Sequence, residues 1–334
     1  MQKLSWILCA SIVAGCSSAN EPGSDAGTAT DSGTAADSST AADSSTAADS
    51  GTAADSGTAT DSGTDAGAPS CGTMRPAIDG ITGTEGLVIG RDGTIYYSQD
   101  GAVGRAVIGE AVDNDWVDLG ATASTVWGLA LDADNESLYV ASSSEQRIYK
   151  IVVATGALSI VYESSGLPNG LTMGPDGALY YSDFGGDHVY RVDVSTNTRT
   201  RVTSSTVTQA NGLAFGDDGR LYVLSYGAGT LVALTLVDGA ETARDPIASS
   251  LGSPDGIAFD ADGRIYIGDN GGDRLLRLDG DGTNPTVLAT SVFAAANVEF
   301  GAGPLNCADI YVASSGELHR YEAGTTAGAS VPWH

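Results

Sequence analysis

The chain has 334 residues and a formal net charge of −27, from 42 acidic and 15 basic side chains. Nucleic acid is bound by clustered cations, so this charge excludes it as a main partner. Only three His residues are present, which leaves little room for a histidine-built zinc site. With 45 Gly and 13 Tyr, the composition favours a turn-rich β protein over a helical one.

The chain starts with a short apolar segment. Lys3 is followed by an apolar core at 4–14, which is too short to span a bilayer because a spanning helix needs about 20 apolar residues. Residues 12–16, Ile-Val-Ala-Gly-Cys, resemble the bacterial lipobox, whose cysteine is lipidated. We expect a lipoprotein signal peptide at 1–15 and a lipid on Cys16, with an ordinary secretory signal as the alternative. The expected location is extracytoplasmic, anchored in a bacterial cell envelope at the outer membrane.

A low-complexity segment follows. Residues 24–68 use only Ser, Asp, Ala, Gly and Thr, with Asp at every sixth position from Asp25 to Asp61. Such a segment cannot bury enough apolar surface to offset its ordering entropy. A β-solenoid repeat would need large apolar residues, which are missing here. The sequence therefore predicts a disordered tether at 16–70, before a folded domain at 71–334.

Four cysteines occur in the chain. Cys9 leaves with the predicted signal peptide and Cys16 carries the lipid, which leaves Cys71 and Cys307. Two remaining cysteines in an exported protein usually pair, so we expect a Cys71–Cys307 disulfide between the two ends of the folded domain.

The folded domain contains one pattern six times. Successive copies start 42, 42, 42, 44 and 42 residues apart, and their first positions are Glu85, Trp127, Asn169, Asn211, Asp255 and Asn297. An apolar run follows each first position, and in the first five copies a turn of the Asp-Gly type comes next, which favours a β-hairpin. The sixth copy has an insertion around 301–307 in place of this turn. A second strand follows, with a Tyr at the same phase in every copy. This period is typical of a propeller blade, so we predict an all-β, six-bladed β-propeller with four antiparallel strands per blade.

The first positions should meet, because the innermost strand of every blade starts beside the central channel. An alternative explanation is that Asn and Asp are common at strand starts because they favour the preceding turn. However, five of the six carry side-chain oxygens: Glu85, Asn169, Asn211, Asp255 and Asn297. Two carboxylates and three amides on one axis suit Ca²⁺, which takes 6–8 oxygen ligands. The sequence therefore predicts a site for Ca²⁺, or another divalent cation, formed by these five residues.

Four of the strand starts resemble those of the regucalcin–gluconolactonase family. They are Thr84-Glu85-Gly86, Pro168-Asn169-Gly170, Ala210-Asn211-Gly212 and Pro254-Asp255-Gly256. The resemblance implies a six-bladed propeller with a divalent cation, usually Ca²⁺, in its channel, and hydrolysis of lactones or related esters. By the same resemblance Glu85, Asn211 and Asp255 are metal ligands. Asn169 is at the metal or the substrate, and Asp255 is the general base.

The chain also departs from this family. Sugar-lactone members carry an Arg two residues before the blade-3 Asn and an acidic residue after it, whereas Leu167 and Gly170 stand here. This argues against aldonolactones. Trp127 either lines an apolar pocket for a less polar substrate or plugs the channel.

Loops between the second and third strands should open on the same face. Five of their residues are candidates for a substrate wall, with solvated loop residues as the alternative: Asp183, Phe184, Tyr226, Asp269 and Asn270.

Two functions follow from these features. The first is a monomeric, Ca²⁺-dependent lactonase or esterase whose partners are a small-molecule substrate and, through the lipid anchor only, the membrane. The second is a non-catalytic propeller that binds a ligand or protein and holds a structural ion. Fold alone does not decide between them.

Overall fold

The computed structural model describes residues 80–82 and 85–324. Within them the chain forms β-strands joined by turns, and the one helical element is a 3-10 turn at Asn270–Gly272. No helix there is long and apolar enough to cross a membrane.

In chain order the strands are β1 Leu87–Ile89, β2 Ile95–Gln99, β3 Ala102–Ala106, β4 Asp113–Asp118, β5 Val126–Leu131, β6 Ser137–Ser142, β7 Arg147–Val152, β8 Ala157–Glu163, β9 Pro168–Met173, β10 Leu179–Asp183, β11 His188–Asp193, β12 Thr198–Arg201, β13 Ala210–Phe215, β14 Leu221–Ser225, β15 Thr230–Val237, β16 Ala240–Ala248, β17 Pro254–Phe259, β18 Ile265–Asp269, β19 Arg274–Leu278, β20 Thr286–Thr290, β21 Val298–Phe300, β22 Asp309–Ser314 and β23 Glu317–Glu322.

Six antiparallel sheets follow one another along the chain. Five have four strands each: β1–β4, β5–β8, β9–β12, β13–β16 and β17–β20. The inner strand of each sheet contacts the inner strand of the next, and β21 of the last sheet contacts β1 of the first. This closed ring confirms the predicted all-β, six-bladed propeller. In the part of the chain that the structure describes, the sixth blade has three strands, β21–β23, instead of the predicted four.

The periodic Asp-Gly and Tyr residues act together. The predicted hairpin turns all place their second residue at positive φ, as in Gly219 (φ 74°) and Asn135 (φ 58°). Near these turns an aspartate accepts a hydrogen bond from the periodic tyrosine, as in Tyr266 Oη to Asp260 Oδ2 at 3.0 Å. In blades 3, 4 and 5 such a pair of residues fastens the hairpin turn to the second strand.

The core lies between the blades. Each of six clusters combines a second-strand tyrosine with apolar residues of a neighbouring blade's inner strand. Between blades 4 and 5, for example, Tyr222 packs edge-on against Phe259 with ring centroids 4.9 Å apart, and Ile257 lies in the same cluster. Full burial of such a side chain stabilises the fold by roughly 1.5–3 kcal/mol.

Glycine after the first position allows the blades to approach closely. A Cβ on Gly212 would lie 2.1 Å from the backbone oxygen of Asp255 in the next blade. The same close approach recurs in three other blades. A Cβ on Gly86 would lie 2.0 Å from the backbone oxygen of Trp127, one on Gly128 2.1 Å from that of Asn169, and one on Gly170 2.7 Å from that of Asn211. No side chain fits in this space, so these glycines bring successive first positions together around the channel.

The sixth copy departs from the predicted phase. In blades 2 to 5 the inner strand has a register irregularity just after the first position, whereas the pairing of β21 with β22 has none. The periodic Tyr266 pairs with Ala258, three residues after Asp255, but Tyr311 pairs with Glu299, two residues after Asn297. Asn297 therefore stands one residue closer to its periodic Tyr than Asp255 does, because this strand lacks the extra bulge residue.

Several predictions fall outside the described residues. They concern the signal peptide, the lipid on Cys16, the tether and Cys71. Cys307 is described, is buried, and follows β21 in the loop to β22. The Cys71–Cys307 disulfide, the lipid anchor, the envelope location and the monomeric state all stay predictions.

Candidate functional site

All six predicted first-position residues line one cavity at the start of the inner strands. Its volume is about 40 Å³. A water needs about 10–15 Å³ of such space, so the cavity has room for an ion with a few waters but not for a whole lactone. Among the described residues, no Lys, Arg or His lines it.

Two carboxylates, those of Glu85 and Asp255, line this cavity. Asp255 is buried, and this burial raises its pKa to about 7. Burial and the charge of Asp255 together raise the pKa of Glu85 well above its ordinary value. Each carboxylate disfavours ionisation of the other, and no basic side chain on the cavity wall offsets their charge.

Amide side chains surround Asp255. Asn270 Nδ2 donates to Asp255 Oδ2 at 3.2 Å, and Asn211 also hydrogen-bonds this carboxylate. Both bonds favour the ionised form and so oppose the effect of burial on the pKa of Asp255. Asn169 and Asn211 are buried at the cavity, with 4% and 2% of their surface exposed.

Asn297 lines the cavity but has a structural contact as well. Its Nδ2 donates to the backbone oxygen of Leu87 at 2.5 Å, and its backbone nitrogen donates to the oxygen of Glu85 at 3.3 Å. Both bonds join the last blade to the first. Asn297 thus closes the ring, and only its amide oxygen is left as a metal ligand.

The donor set fits a hard cation. Across 80–82 and 85–324 no group of three or more His, Cys, Asp or Glu side chains is placed to hold a metal. The centre would therefore depend on amide oxygens in addition to Glu85 and Asp255. Carboxylate and amide oxygens without nitrogen or sulfur donors are the ligands that Ca²⁺ prefers.

Three aromatic side chains form a continuous arc on the same face of the propeller. The rings of Trp127 and Phe184 meet edge-on with centroids 5.7 Å apart, and those of Phe184 and Tyr226 with centroids 5.6 Å apart. Tyr226 Oη lies 3.5 Å from Asn270 Oδ1. This aromatic arc of Trp127, Phe184 and Tyr226 therefore leads from the cavity wall to the amide that holds Asp255.

The other two candidates for the wall, Asp183 and Asp269, lie elsewhere. Asp183 Oδ1 accepts from the backbone nitrogens of Leu167 at 2.8 Å and Gly186 at 2.9 Å. Asp269 is fully buried and accepts from Arg274 Nε at 2.6 Å, as well as from two backbone nitrogens. The prediction that they line a substrate wall is wrong, because both carboxylates turn inward to hold loops.

The contact of Asn270 with Asp255 was not predicted. Asn270 directly follows Asp269, the last residue of β18, and its position on the channel face could be read from the repeat. Its orientation depends on the 3-10 turn that starts there, which the sequence pattern does not show.

Comparison with known proteins adds a family to this geometry. Residues 183–316 match the family model described as an SMP-30/gluconolactonase/LRE-like region. The chain carries an SMP-30/gluconolactonase/LRE-like region. The match includes Asn211 and Asp255, and it confirms the resemblance drawn from the strand starts. No curated protein matches the chain.

Solved structures share the fold of this chain. A gluconolactonase from Xanthomonas campestris is 22% identical, with a TM-score of 0.60, over 72% of this chain and 86% of that one. Regucalcin from Agrobacterium tumefaciens, a calcium-binding protein, is 19% identical, with a TM-score of 0.61, over 75% of this chain and 93% of that one. Virginiamycin B lyase from Staphylococcus aureus is 15% identical, with a TM-score of 0.54, over 73% and 85%. At these identities the likeness shows the propeller fold alone.

The contact between Asn270 and Asp255 gives a testable prediction. Asn270→Ala removes a hydrogen bond that favours the ionised form of Asp255, so we expect the pKa of Asp255 to rise by up to about one unit. The measurement is the carboxyl ¹³C shift of Asp255 during a pH titration of the calcium-free protein. Asn284→Ala, an exposed amide in the β19–β20 loop, is the control and should leave this titration unchanged. An unchanged titration in Asn270→Ala would contradict the contact.

Proposed function

We propose that the protein is a Ca²⁺-dependent hydrolase of a lactone or a related ester. The observation that carries the proposal is the pair of carboxylates, Glu85 and Asp255, that share one cavity without a basic residue on its wall. Ionising both would be unfavourable without a cation, so the cavity is suited to hold one. The SMP-30/gluconolactonase/LRE-like match supports lactone hydrolysis as the chemistry.

Each residue has a distinct role in this proposal. Glu85, Asp255 and the amide oxygens of Asn169 and Asn211 would hold the cation, with Asn297 contributing its remaining oxygen. A bound Ca²⁺ would act as a Lewis acid that polarises the substrate carbonyl. A carboxylate cannot donate when ionised, so Asn211 Nδ2 is the donor to Asp255 and the amide oxygen of Asn211 is left to face the ion.

Asp255 is the proposed general base. Burial raises its pKa to about 7, and a carboxylate in this range can accept a proton from water near neutral pH. A bound cation would lower this pKa, because it favours the ionised form, so the role of base requires that one oxygen of Asp255 is not bound to the cation. Asn270 holds Oδ2 of Asp255, which orients the carboxylate whether or not it is protonated.

The wall of the cavity also limits the substrate. Without a basic lining residue, an anionic substrate would have only the cation itself to offset its charge. A neutral carbonyl compound does not need such compensation. The proposal is therefore a neutral lactone or ester whose carbonyl reaches the cavity.

The test is a lactone and ester panel assayed with CaCl₂ and with a chelator. We expect hydrolysis that requires calcium and falls by at least about a hundredfold in Glu85→Gln, the loss typical of an electrostatic group at a reacting carbonyl. Glu110→Gln, an exposed glutamate in the β3–β4 loop, is the matched control and should keep full activity. Turnover that persists in chelator would contradict the mechanism. A calcium-dependent gain in thermal stability without any turnover would favour the ligand-binding propeller.

A further inference from the structure

The cavity wall and the aromatic arc outside it differ in chemistry. The aromatic arc occupies blades 2 to 4, where Trp127 also forms part of the cavity wall. Every blade except blade 2 contributes an oxygen-bearing side chain to the cavity wall: Glu85, Asn169, Asn211, Asp255 and Asn297. A ligand at the cavity therefore meets these oxygens at its inner end and the aromatic rings at its outer end.

The small cavity places most of any substrate on the arc. At about 40 Å³ it admits an ion and a carbonyl group but not the body of a lactone. The body must then rest outside the cavity, where Phe184 lies between Trp127 and Tyr226 and contacts both. Its ring is only partly buried, so apolar surface remains there for a ligand.

The arc offers little to a polyhydroxylated ligand. Two of its three side chains have only apolar surface or an indole N–H, and the hydroxyl of Tyr226 is already within hydrogen-bond distance of Asn270. Sugar hydroxyls placed against these rings would lose their bonds to water without replacement, which costs about 1–3 kcal/mol for each unpaired group. An alkyl or aryl surface would instead gain from leaving water.

We propose that the substrate is a neutral lactone or ester with an aryl or alkyl body, which lies on Trp127, Phe184 and Tyr226 while its carbonyl points into the cavity. This inference rests on the proposed function, since it names the substrate class of the same site. It assigns the three rings to substrate selection and assigns the cavity oxygens to the reacting group.

The test compares two δ-lactones that differ in their bodies, dihydrocoumarin and glucono-1,5-lactone, with uncatalysed hydrolysis subtracted. We expect a higher kcat/KM for dihydrocoumarin in the wild-type protein. Phe184→Ala should lower the ratio of kcat/KM for dihydrocoumarin to kcat/KM for glucono-1,5-lactone about tenfold, a change of about 1.4 kcal/mol. The ratio for Phe184→Leu should lie between those of the wild type and Phe184→Ala. Phe293→Ala, a ring that is 66% exposed in the loop before β21, is the control and should leave the ratio unchanged. A wild-type preference for the sugar lactone would overturn the inference.

A binding measurement separates this inference from the proposed function. The probes are the lactams of the same two bodies, 3,4-dihydro-2-quinolinone and gluconolactam, titrated by calorimetry in CaCl₂. If no lactone is hydrolysed but the quinolinone binds, and Phe184→Ala weakens it about tenfold, the proposed hydrolase fails while the ligand class stands. Binding of the sugar lactam alone, or of neither probe, would overturn the ligand class.

Discussion

Replacing Asp255 with asparagine is expected to raise the thermal stability of the calcium-free protein and to remove most of the stability gained from calcium. A buried carboxylate is usually a stabilising acceptor, so its loss would ordinarily lower stability. Here the pKa of Asp255 is raised from 3.8 to about 7, which means that its ionised form destabilises the fold. Above pH 7 this effect is on the order of 4 kcal/mol. Asparagine keeps an oxygen that can accept from Asn270 Nδ2 but has no charge.

The same pKa fixes the sign of the pH dependence. An aspartate has a pKa of about 3.9 when unfolded, so between about pH 4 and pH 7 the folded calcium-free protein binds more protons than the unfolded chain. Its stability should therefore fall as the pH rises through this window, and Glu85, whose pKa is also raised, adds to the fall. Calcium should remove the fall, because it stabilises the ionised forms. In Asp255→Asn, only the part of this pH-dependent loss of stability that comes from Glu85 should remain.

The measurement is thermal unfolding at pH 5 and pH 8, in chelator and in CaCl₂. Asp115→Asn is the matched control, because it removes a negative charge at an exposed position on β4. It should change neither the pH dependence nor the response to calcium. If Asp255→Asn were less stable than wild type in chelator at pH 8 and still gained stability from calcium, the shared cation site would be contradicted.

The repeat explains why the ring could be predicted from the sequence. In a closed propeller, residues at the same phase of successive blades occupy equivalent places around the channel, so periodicity alone brings Glu85, Asn211 and Asp255 to one cavity. The places of Trp127 and Phe184 could be predicted in the same way. Trp127 stands at the start of an inner strand, and Phe184 directly follows the end of a second strand. The family resemblance supplied the expected chemistry.

Local hydrogen bonding could not be predicted from the sequence. The strand β21 lacks the register irregularity of the inner strands of blades 2 to 5, and a missing bulge leaves no mark on residue type. Asp183 and Asp269 stand at equivalent ends of β10 and β18, where a loop-holding carboxylate and a substrate-facing one look the same. Which partner such a carboxylate selects depends on the backbone nitrogens within about 3 Å, and the sequence does not give them.

Gly212→Ala should produce a large loss of stability. Its Cβ would lie 2.1 Å from the backbone oxygen of Asp255 and 3.0 Å from Cα of Gly256, so two blades would have to move apart. The backbone at Gly212 lies outside the left-handed region, which means that alanine meets no strain from its own φ. Overpacking of this kind costs about 3 kcal/mol, which lowers the Tm of a domain of this size by roughly 6–12 °C.

The clash should also reach the site, because the atom it displaces belongs to Asp255. We expect Gly212→Ala to weaken the calcium-dependent rise in Tm as well as the Tm in chelator. Gly219→Asn is the control: this turn glycine has φ 74° and open space around it, and Asn135 occupies the corresponding turn of blade 2 at φ 58°. Asparagine tolerates this conformation, so the control should cost less than about 1 kcal/mol and keep the full calcium response. A Gly212→Ala protein with the stability and calcium response of wild type would show that the blades do not approach as closely as the site requires.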